Sequence, residues 1–85
     1  MISFLAPTAF GQTIAFAHRM ERKLLQARAL TDMPESEAIA WSAILAGMAR
    51  SSRLRSAEDF LDAWLHNLRE GMTPALAAAA LVESV

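Results

Sequence analysis

The residues best placed to do chemistry are two carboxylates and an imidazole, Asp59, Asp62 and His66. Steps of three and four residues place all three side chains on one face of a helix. Carboxylates and imidazole suit zinc, iron or manganese, but the same spacing also describes a solvated face on which Asp62 pairs with His66. Metal sites in helical bundles draw ligands from several helices, and no other segment offers a matching cluster. We therefore expect no metal and no other cofactor.

Covalent catalysis has little support in the sequence. The chain has no cysteine and two histidines, and it lacks the Gly-x-Ser-x-Gly motif that exposes a nucleophilic serine. The three glycines, Gly11, Gly47 and Gly71, lie too far apart to form a phosphate-binding loop. The sequence therefore predicts no catalytic residues and a protein that is not an enzyme.

Nucleic-acid binding is the alternative function that the sequence defines best. Two groups of basic residues could contact phosphates: Arg19, Arg22 and Lys23, and Arg50, Arg53 and Arg55. The last two predicted helices have the outline of a helix-turn-helix, but the second is almost all alanine and carries no side chain that reads bases. With a net charge of −1 for the whole chain, this alternative is limited to an auxiliary protein that contacts phosphates, and nucleic acid is the less favoured partner.

Periodicity and stop signals predict an all-α fold, a small single-domain bundle of about four helices over residues 1–85. An apolar N-terminal arm is expected at residues 1–8, with Thr8 capping the first helix. The helices are expected near residues 9–30, 33–50, 57–70 and 74–83.

Local signals predict where three of these helices begin or end. A capping box from Asp32 to Glu35 is expected to start the second helix, and Ser56 is expected to cap the third. Gly71 is expected to end the third helix, and Thr73 with Pro74 to begin the fourth. The predicted core face of the third helix contains Phe60, Leu61, Trp64, Leu65 and Leu68.

The second predicted helix has no charge between Ala38 and Ala49. Its large apolar residues form one stripe: Trp41, Ile44, Leu45 and Met48. A strip of small residues lies opposite: Ser36, Ala40, Ala43 and Gly47. A helix that is uncharged on all sides is typical of a central, buried element. The small residues would let another backbone approach closely, either from within the chain or from a second subunit.

The apolar content of the chain exceeds what a domain of this size buries easily. Apolar residues make up 54% of 85, and a small domain leaves a large share of its surface exposed. We therefore expect a protein-interaction module whose partner is another protein, itself, or both, acting as an oligomer, an adaptor subunit, or an inhibitor or regulator. The expected interface residues are Ile2, Phe4, Leu5, Phe10, Ala40, Ala43, Gly47, Leu76, Leu81 and Val82.

The longest uncharged stretch, Met1 to Ala17, is shorter than the roughly 20 residues that a spanning helix needs. We therefore expect no membrane span. The lack of cysteine fits a reducing compartment, so the cytoplasm is the expected location.

Overall fold

The computed structural model describes residues 2–83, with side chains from residue 14 to 82. The described chain forms four helices and no strand: α1 (Ile2–Thr31), α2 (Glu35–Ser52), α3 (Ala57–Arg69) and α4 (Pro74–Glu83). The predicted all-α bundle is thereby confirmed. Within the described residues, no helix is both long enough and apolar enough to cross a membrane.

Helix α3 is the central element of the bundle. It packs against α1, α2 and α4, and α1 also packs against α2. Its predicted core face is confirmed, since every member is buried: Phe60, Leu61, Trp64, Leu65 and Leu68. The expectation that the second helix is central was wrong. Helix α3 takes the centre because its apolar residues form one continuous stripe, whereas those of α2 are divided between two faces.

Both ends of α3 are closed by local hydrogen bonds. Ser56 and Asp59 form a reciprocal capping box, in which each side chain accepts from the other residue's amide at 3.1 Å. At the other end the amide of Met72 donates to the carbonyl of Asn67, and the amide of Gly71 donates to that of Leu68. Gly71 has φ +97°, a value that side chains disfavour, so its place at this helix end is explained.

Helix α4 is attached to α3 by two side-chain hydrogen bonds. The indole Nε1 of Trp64 donates to the carbonyl of Pro74 at 3.0 Å, and Nδ2 of Asn67 donates to the carbonyl of Ala77 at 3.1 Å. The hydroxyl of Thr73 accepts from the amide of Leu76 at 3.3 Å, which is the cap predicted for this helix. The indole of Trp64 and the amide group of Asn67 thus have hydrogen-bond partners, and the same bonds hold α4 in place.

The start of α1 differs from its prediction. The helix begins at Ile2, so the segment expected as an arm at residues 1–8 is helical from Ile2 onward, and Thr8 lies inside the helix instead of capping it. The physical reason is that Pro7 lies close to the start of the helix, where a missing amide and a proline ring disturb only the turn before it, and the leucine, alanine and phenylalanine residues around it are compatible with a helix.

The predicted capping box of α2 was also wrong. Asp32 has φ +60° and its amide donates to the carbonyl of Arg28 at 2.8 Å, which makes it the residue that ends α1. Asp32 therefore cannot adopt the extended geometry of a helix N-cap. The N-cap position of α2 belongs to Pro34, which makes no side-chain hydrogen bond.

The half-buried Trp41 of α2 packs on Trp64, with 5.7 Å between the ring centroids. The rest of the core is built from small and medium-sized side chains. The other buried residues are Ala27, Met33, Ala38, Leu45, Ala49, Ala77, Ala78 and Leu81. Because alanine is so frequent in this set, the helices can approach one another closely around Trp64 and Phe60.

Candidate protein-interaction surface

Helix α2 has two uncharged faces, and only one of them is covered. Ala38, Leu45 and Ala49 are buried against the rest of the bundle. On the opposite side Ile39 is 55% exposed and Ile44 is 48% exposed. This uncharged helix therefore lies at the edge of the fold, with one of its two apolar sides uncovered.

We call the uncovered side the α2 face. At 100° per residue its members fall within an arc of about 140°. They are Ile39, Ala40, Ala43, Ile44 and Gly47, of which all but the half-buried Gly47 are exposed. The predicted interface residues of this helix, Ala40, Ala43 and Gly47, thus lie together on one surface. Exposed apolar residues that form a contiguous patch mark an interaction site more often than scattered ones do.

An apolar groove runs along one side of the α2 face, between α1 and α2. It encloses about 440 Å³. Its apolar lining comes from both helices: Phe16, Met20, Leu24, Leu25 and Ile39. Glu21, Arg28 and Glu35 line it as well. Ile39 belongs to both the groove and the α2 face, so the two surfaces are continuous.

A second groove lies on the α4 side of the α2 face. It encloses about 410 Å³ and is lined by Gly47, Met48 and Ser51 of α2, by Phe60 of α3 and by Val82 of α4, together with Ser52. Gly47 joins this groove to the α2 face. The α2 face is therefore a ridge between two grooves, a shape that fits helices laid side by side.

The predicted interface residues of α4 separate into two groups. Leu76 and Val82 are each 62% exposed, whereas Leu81 is 4% exposed and belongs to the core. The prediction for Leu81 was therefore wrong. The reason is helical geometry: Leu81 lies between Ala77 and Ala78 on the side that packs on the core, while Leu76 lies opposite and Val82 lies at the edge of that side.

The four interface residues predicted near the N-terminus, Ile2, Phe4, Leu5 and Phe10, lie outside the residues whose side chains the structure describes. The following turn, residues 14–19, is exposed on all sides and includes the apolar residues Ile14 and Phe16. Leu25 and Leu30 are also exposed farther along α1. Helix α1 thus adds apolar surface next to the α1–α2 groove.

The first predicted phosphate-binding group is largely occupied by carboxylates. Arg19 donates from Nε and Nη2 to Glu58 at 2.9 and 3.2 Å. Lys23 Nζ lies 2.7 Å from Glu58 Oε2 and 2.7 Å from Asp62 Oδ1. Arg22 is exposed. Two of the three cations therefore join α1 to α3, and the structure does not present this group as a free basic surface.

These contacts change how the groups ionise. Hydrogen bonds from Arg19 and then from Lys23 lower the pKa of Glu58 to about 2. The hydrogen bond to Glu58 raises the pKa of Arg19. Burial by itself lowers the pKa of Lys23, but its hydrogen bonds to Asp62 and Glu58 outweigh that effect and raise it. Glu58, Arg19 and Lys23 are therefore ionised throughout the physiological range, and their contacts tie α1 to α3.

The second predicted phosphate-binding group lies around the end of α2. Arg50 is in the last turn, Arg53 has φ +63° just after it, and the Arg55 guanidinium lies 5.7 Å from the centroid of the Phe60 ring. Arg55 thus packs on an aromatic ring. The three arginines do not share one helix face, since only Arg50 is helical.

The three residues considered for metal binding have other partners or face solvent. Asp59 accepts from the amide of Ser56, Asp62 pairs with Lys23, and His66 is exposed. In the part of the chain that the structure describes, no group of three His, Asp or Glu residues is arranged to hold a metal ion.

Sequence reasoning missed the two grooves and the exposure of Ile39 and Ile44. Ile44 was assigned to the core stripe of the second helix because it lies near Trp41 and Met48 in the helical pattern. A signal was present, since the charge-free run from Ala38 to Ala49 covers both sides of the helix. It was interpreted as burial, although an interaction surface gives the same pattern.

Comparisons of the chain with models of protein families, with curated proteins and with solved structures find no match. The function must therefore be inferred from the residues of this chain.

Proposed function

We propose that the protein is a non-enzymatic interaction module that binds the apolar surface of another polypeptide through the α2 face. The observation that carries this proposal is that α2 is apolar on two sides while the bundle covers only one of them. An oligomer, an adaptor subunit and an inhibitor of a larger protein all use this kind of binding.

The uncovered side chains are large enough to matter for binding. Complete burial of an exposed isoleucine is worth roughly 1.5–3 kcal/mol, and Ile39 and Ile44 are about half exposed, so each has about 1 kcal/mol to gain. The neighbouring Ala40 and Ala43 have short side chains, which let a partner helix come close. Small residues next to exposed isoleucines favour a helix as the bound element.

The two grooves extend this surface beyond α2. Phe16 and Leu25 line one groove and Val82 lines the other, and each is exposed. A helix placed on the α2 face would have apolar side chains of α1 or α4 within reach of its flanks. This arrangement supports recognition of an amphipathic helix whose apolar side faces this protein.

The phosphate-binding alternative has less support. Arg19 and Lys23 pair with Glu58 and Asp62, and a phosphate would have to compete with carboxylates that are already in place. Counterion release, which drives phosphate binding, is weak when the cations are neutralised within the protein. We therefore propose protein binding and not nucleic-acid binding.

A pair of variants tests the proposal. Ile44→Glu places a charge on the α2 face, whereas Leu54→Glu makes a similar change at a side chain that is 87% exposed in the loop between α2 and α3. Both variants are expected to melt like the wild type, because neither residue is buried. Tagged forms are used for affinity capture from cells that express the protein, and bound polypeptides, including untagged copies of this chain, are quantified by mass spectrometry.

We expect Ile44→Glu to lose most of the captured polypeptides and Leu54→Glu to keep them. A carboxylate in an apolar interface lacks a partner, and that desolvation penalty weakens binding at least about tenfold. Equal capture by Ile44→Glu and the wild type would show that the α2 face does not bind protein.

A further inference from the structure

Opposite charges stand at the two ends of α2, and the helix between them has none. Glu35 and Glu37 lie in its first turn and Arg50 lies in its last turn. From Ala38 to Ala49 the helix is uncharged. Among the described residues, none of these three charged side chains makes an ion pair. The α2 face is therefore bounded by an acidic end and a basic end whose charges are available to a partner.

The basic end lies beside the α2 face. Arg50 Nη2 lies 3.8 Å from the position that a Cβ atom would take on Gly47, so the guanidinium extends over the last residue of the face. Glu35 lines the α1–α2 groove next to Ile39, at the other end of the same face. Glu35 and Arg50 are 15 positions apart in the sequence, which corresponds to about 22 Å along the helix.

We propose that the α2 face binds the α2 face of a second copy of this chain, with the two helices antiparallel. This inference rests on the proposed function and names the partner. In the antiparallel arrangement the Glu35 end of each helix lies beside the Arg50 end of the other. A parallel arrangement would place like charges together at both ends, which is unfavourable.

The self-complementary charge pattern favours a second copy over an unrelated protein. A two-fold interface uses the same patch on both subunits, so the patch must complement itself. The α2 face does so, because its charges are opposite at equal distances from its centre. Pairing Glu35 with Arg50 places the two-fold axis between residues 42 and 43, so Ala43 lies near the axis. Ala40 of each copy then lies level with residue 45 of the other, between Ile44 and Gly47 of its α2 face. The short side chains of Ala40 and Ala43 permit close contact between the helices.

One helix pair with its flanking grooves makes a small interface, at the lower end of the size range of specific protein contacts. We therefore expect a dimer that forms and dissociates with concentration. The first measurement is the mass of the purified full chain by sedimentation equilibrium, from low micromolar to near millimolar concentration. The mass should rise from 9.3 kDa towards twice that value.

The variants Ile44→Glu and Leu54→Glu also test where the dimer contact lies. Ile44→Glu should raise the dimer dissociation constant at least about tenfold, because it places two carboxylates near the two-fold axis. Leu54→Glu should leave it unchanged. Loss of dimer in both variants, or in neither, would contradict the assignment to the α2 face.

Charge exchange tests the antiparallel direction. Glu35→Arg alone and Arg50→Glu alone should each weaken the dimer, since each brings like charges together at both ends. The double variant Glu35→Arg/Arg50→Glu should restore it, because the exchanged charges again face opposite charges. Circular dichroism shows whether any single variant has lost helix, and failure of the double variant to recover while still folded would overturn the charge assignment.

Single cysteines provide a geometric test, since the natural chain has none. Ala43→Cys should form a covalent dimer on mild oxidation, because cysteines at the axis come within the short distance that a disulfide needs. Ala40→Cys alone should not, since in this register it lies about 7.5 Å along the helix axis from Ala40 of the other copy. Efficient cross-linking by Ala40→Cys would indicate parallel helices and contradict the proposal.

The outcomes separate this inference from the proposed function. A strict monomer over the whole concentration range, together with captured polypeptides that Ile44→Glu loses, would overturn the self-association and leave the proposed function standing. A dimer that Ile44→Glu does not weaken would overturn the inference by placing the contact elsewhere. A strict monomer whose capture is unaffected by Ile44→Glu would contradict both.

Discussion

Helices α2 and α3 are both rich in apolar residues, yet they hold opposite positions in the bundle. In α3 the acidic residues Glu58, Asp59 and Asp62 lie on one side, so its apolar residues form a single stripe that three helices cover. In α2 the centre has no charge, and only one of two apolar faces is covered. The comparison shows that a helix becomes central when its apolar and charged residues lie on separate sides. A high content of apolar residues alone does not bury it.

The largest expected effect comes from removing side chains of similar size from the two helices. Leu61→Ala in α3 should lower the free energy of unfolding by about 2–5 kcal/mol, because it leaves a cavity at a residue that is 0% exposed. Ile44→Ala in α2 should change it by less than about 0.5 kcal/mol when measured on dilute monomer. Urea denaturation followed by circular dichroism measures both. A loss at Ile44 as large as that at Leu61 would mean that the α2 face is covered within the monomer.

Replacing a glycine with alanine should have opposite effects on stability at the end of α3 and within α2. Gly71→Ala should destabilise the fold by about 1–2 kcal/mol, because Gly71 ends α3 with φ +97°. Gly47→Ala should stabilise the monomer by up to about 1 kcal/mol, since alanine favours a helix and the added Cβ meets only Arg50 Nη2 at 3.8 Å. Thermal melting at low concentration distinguishes them. If both substitutions destabilise the monomer, a neighbour must restrict the space beside Gly47.

The smallest effect concerns the charged side of α3. The pKa of Glu58 is lowered from 4.5 to about 2 in the folded protein, so its contribution to stability is complete above about pH 4.5 and is lost as the pH falls towards 2. Glu58→Gln should therefore remove stability at neutral pH and flatten the decline over that window. Because the side chain is partly exposed, the effect should also weaken with added salt.

A matched control is available at the end of α3. Glu70→Gln removes one carboxylate at an exposed position that has no ion pair among the described residues. Its acid profile should follow that of the wild type. If Glu58→Gln and Glu70→Gln behave alike, the contacts of Glu58 with Arg19 and Lys23 do not stabilise the fold.

Local signals in the sequence predicted much of the fold. Ser56, Gly71 and Thr73 were correctly placed at helix ends, because caps and turns depend on a few neighbouring residues and their backbone geometry. The same reasoning failed at Asp32, which could either end one helix or begin the next. The packing of Met33 into the core selects the first role, and Met33 is 6% exposed.

The candidate surface was predicted only in part. Ala40, Ala43 and Gly47 were identified from their spacing, because small residues at helical intervals are visible in the sequence. Ile39 and Ile44 were not, and Leu81 was assigned to the wrong side. Helical periodicity shows which residues share a face, but it does not say which face meets the bundle.

The sequence by itself determined the helical class, the caps and the turn at Ser56, Gly71 and Thr73, and the uncharged character of α2, since these follow from nearest neighbours and helical spacing. Only the tertiary structure decided that α3 is central, that Glu58 faces Arg19 and Lys23, and that one apolar side of α2 is uncovered. The physical reason is that burial depends on contacts between residues distant in the chain. An uncharged helix has two faces of similar apolarity, and the packing of its neighbours selects which one they cover.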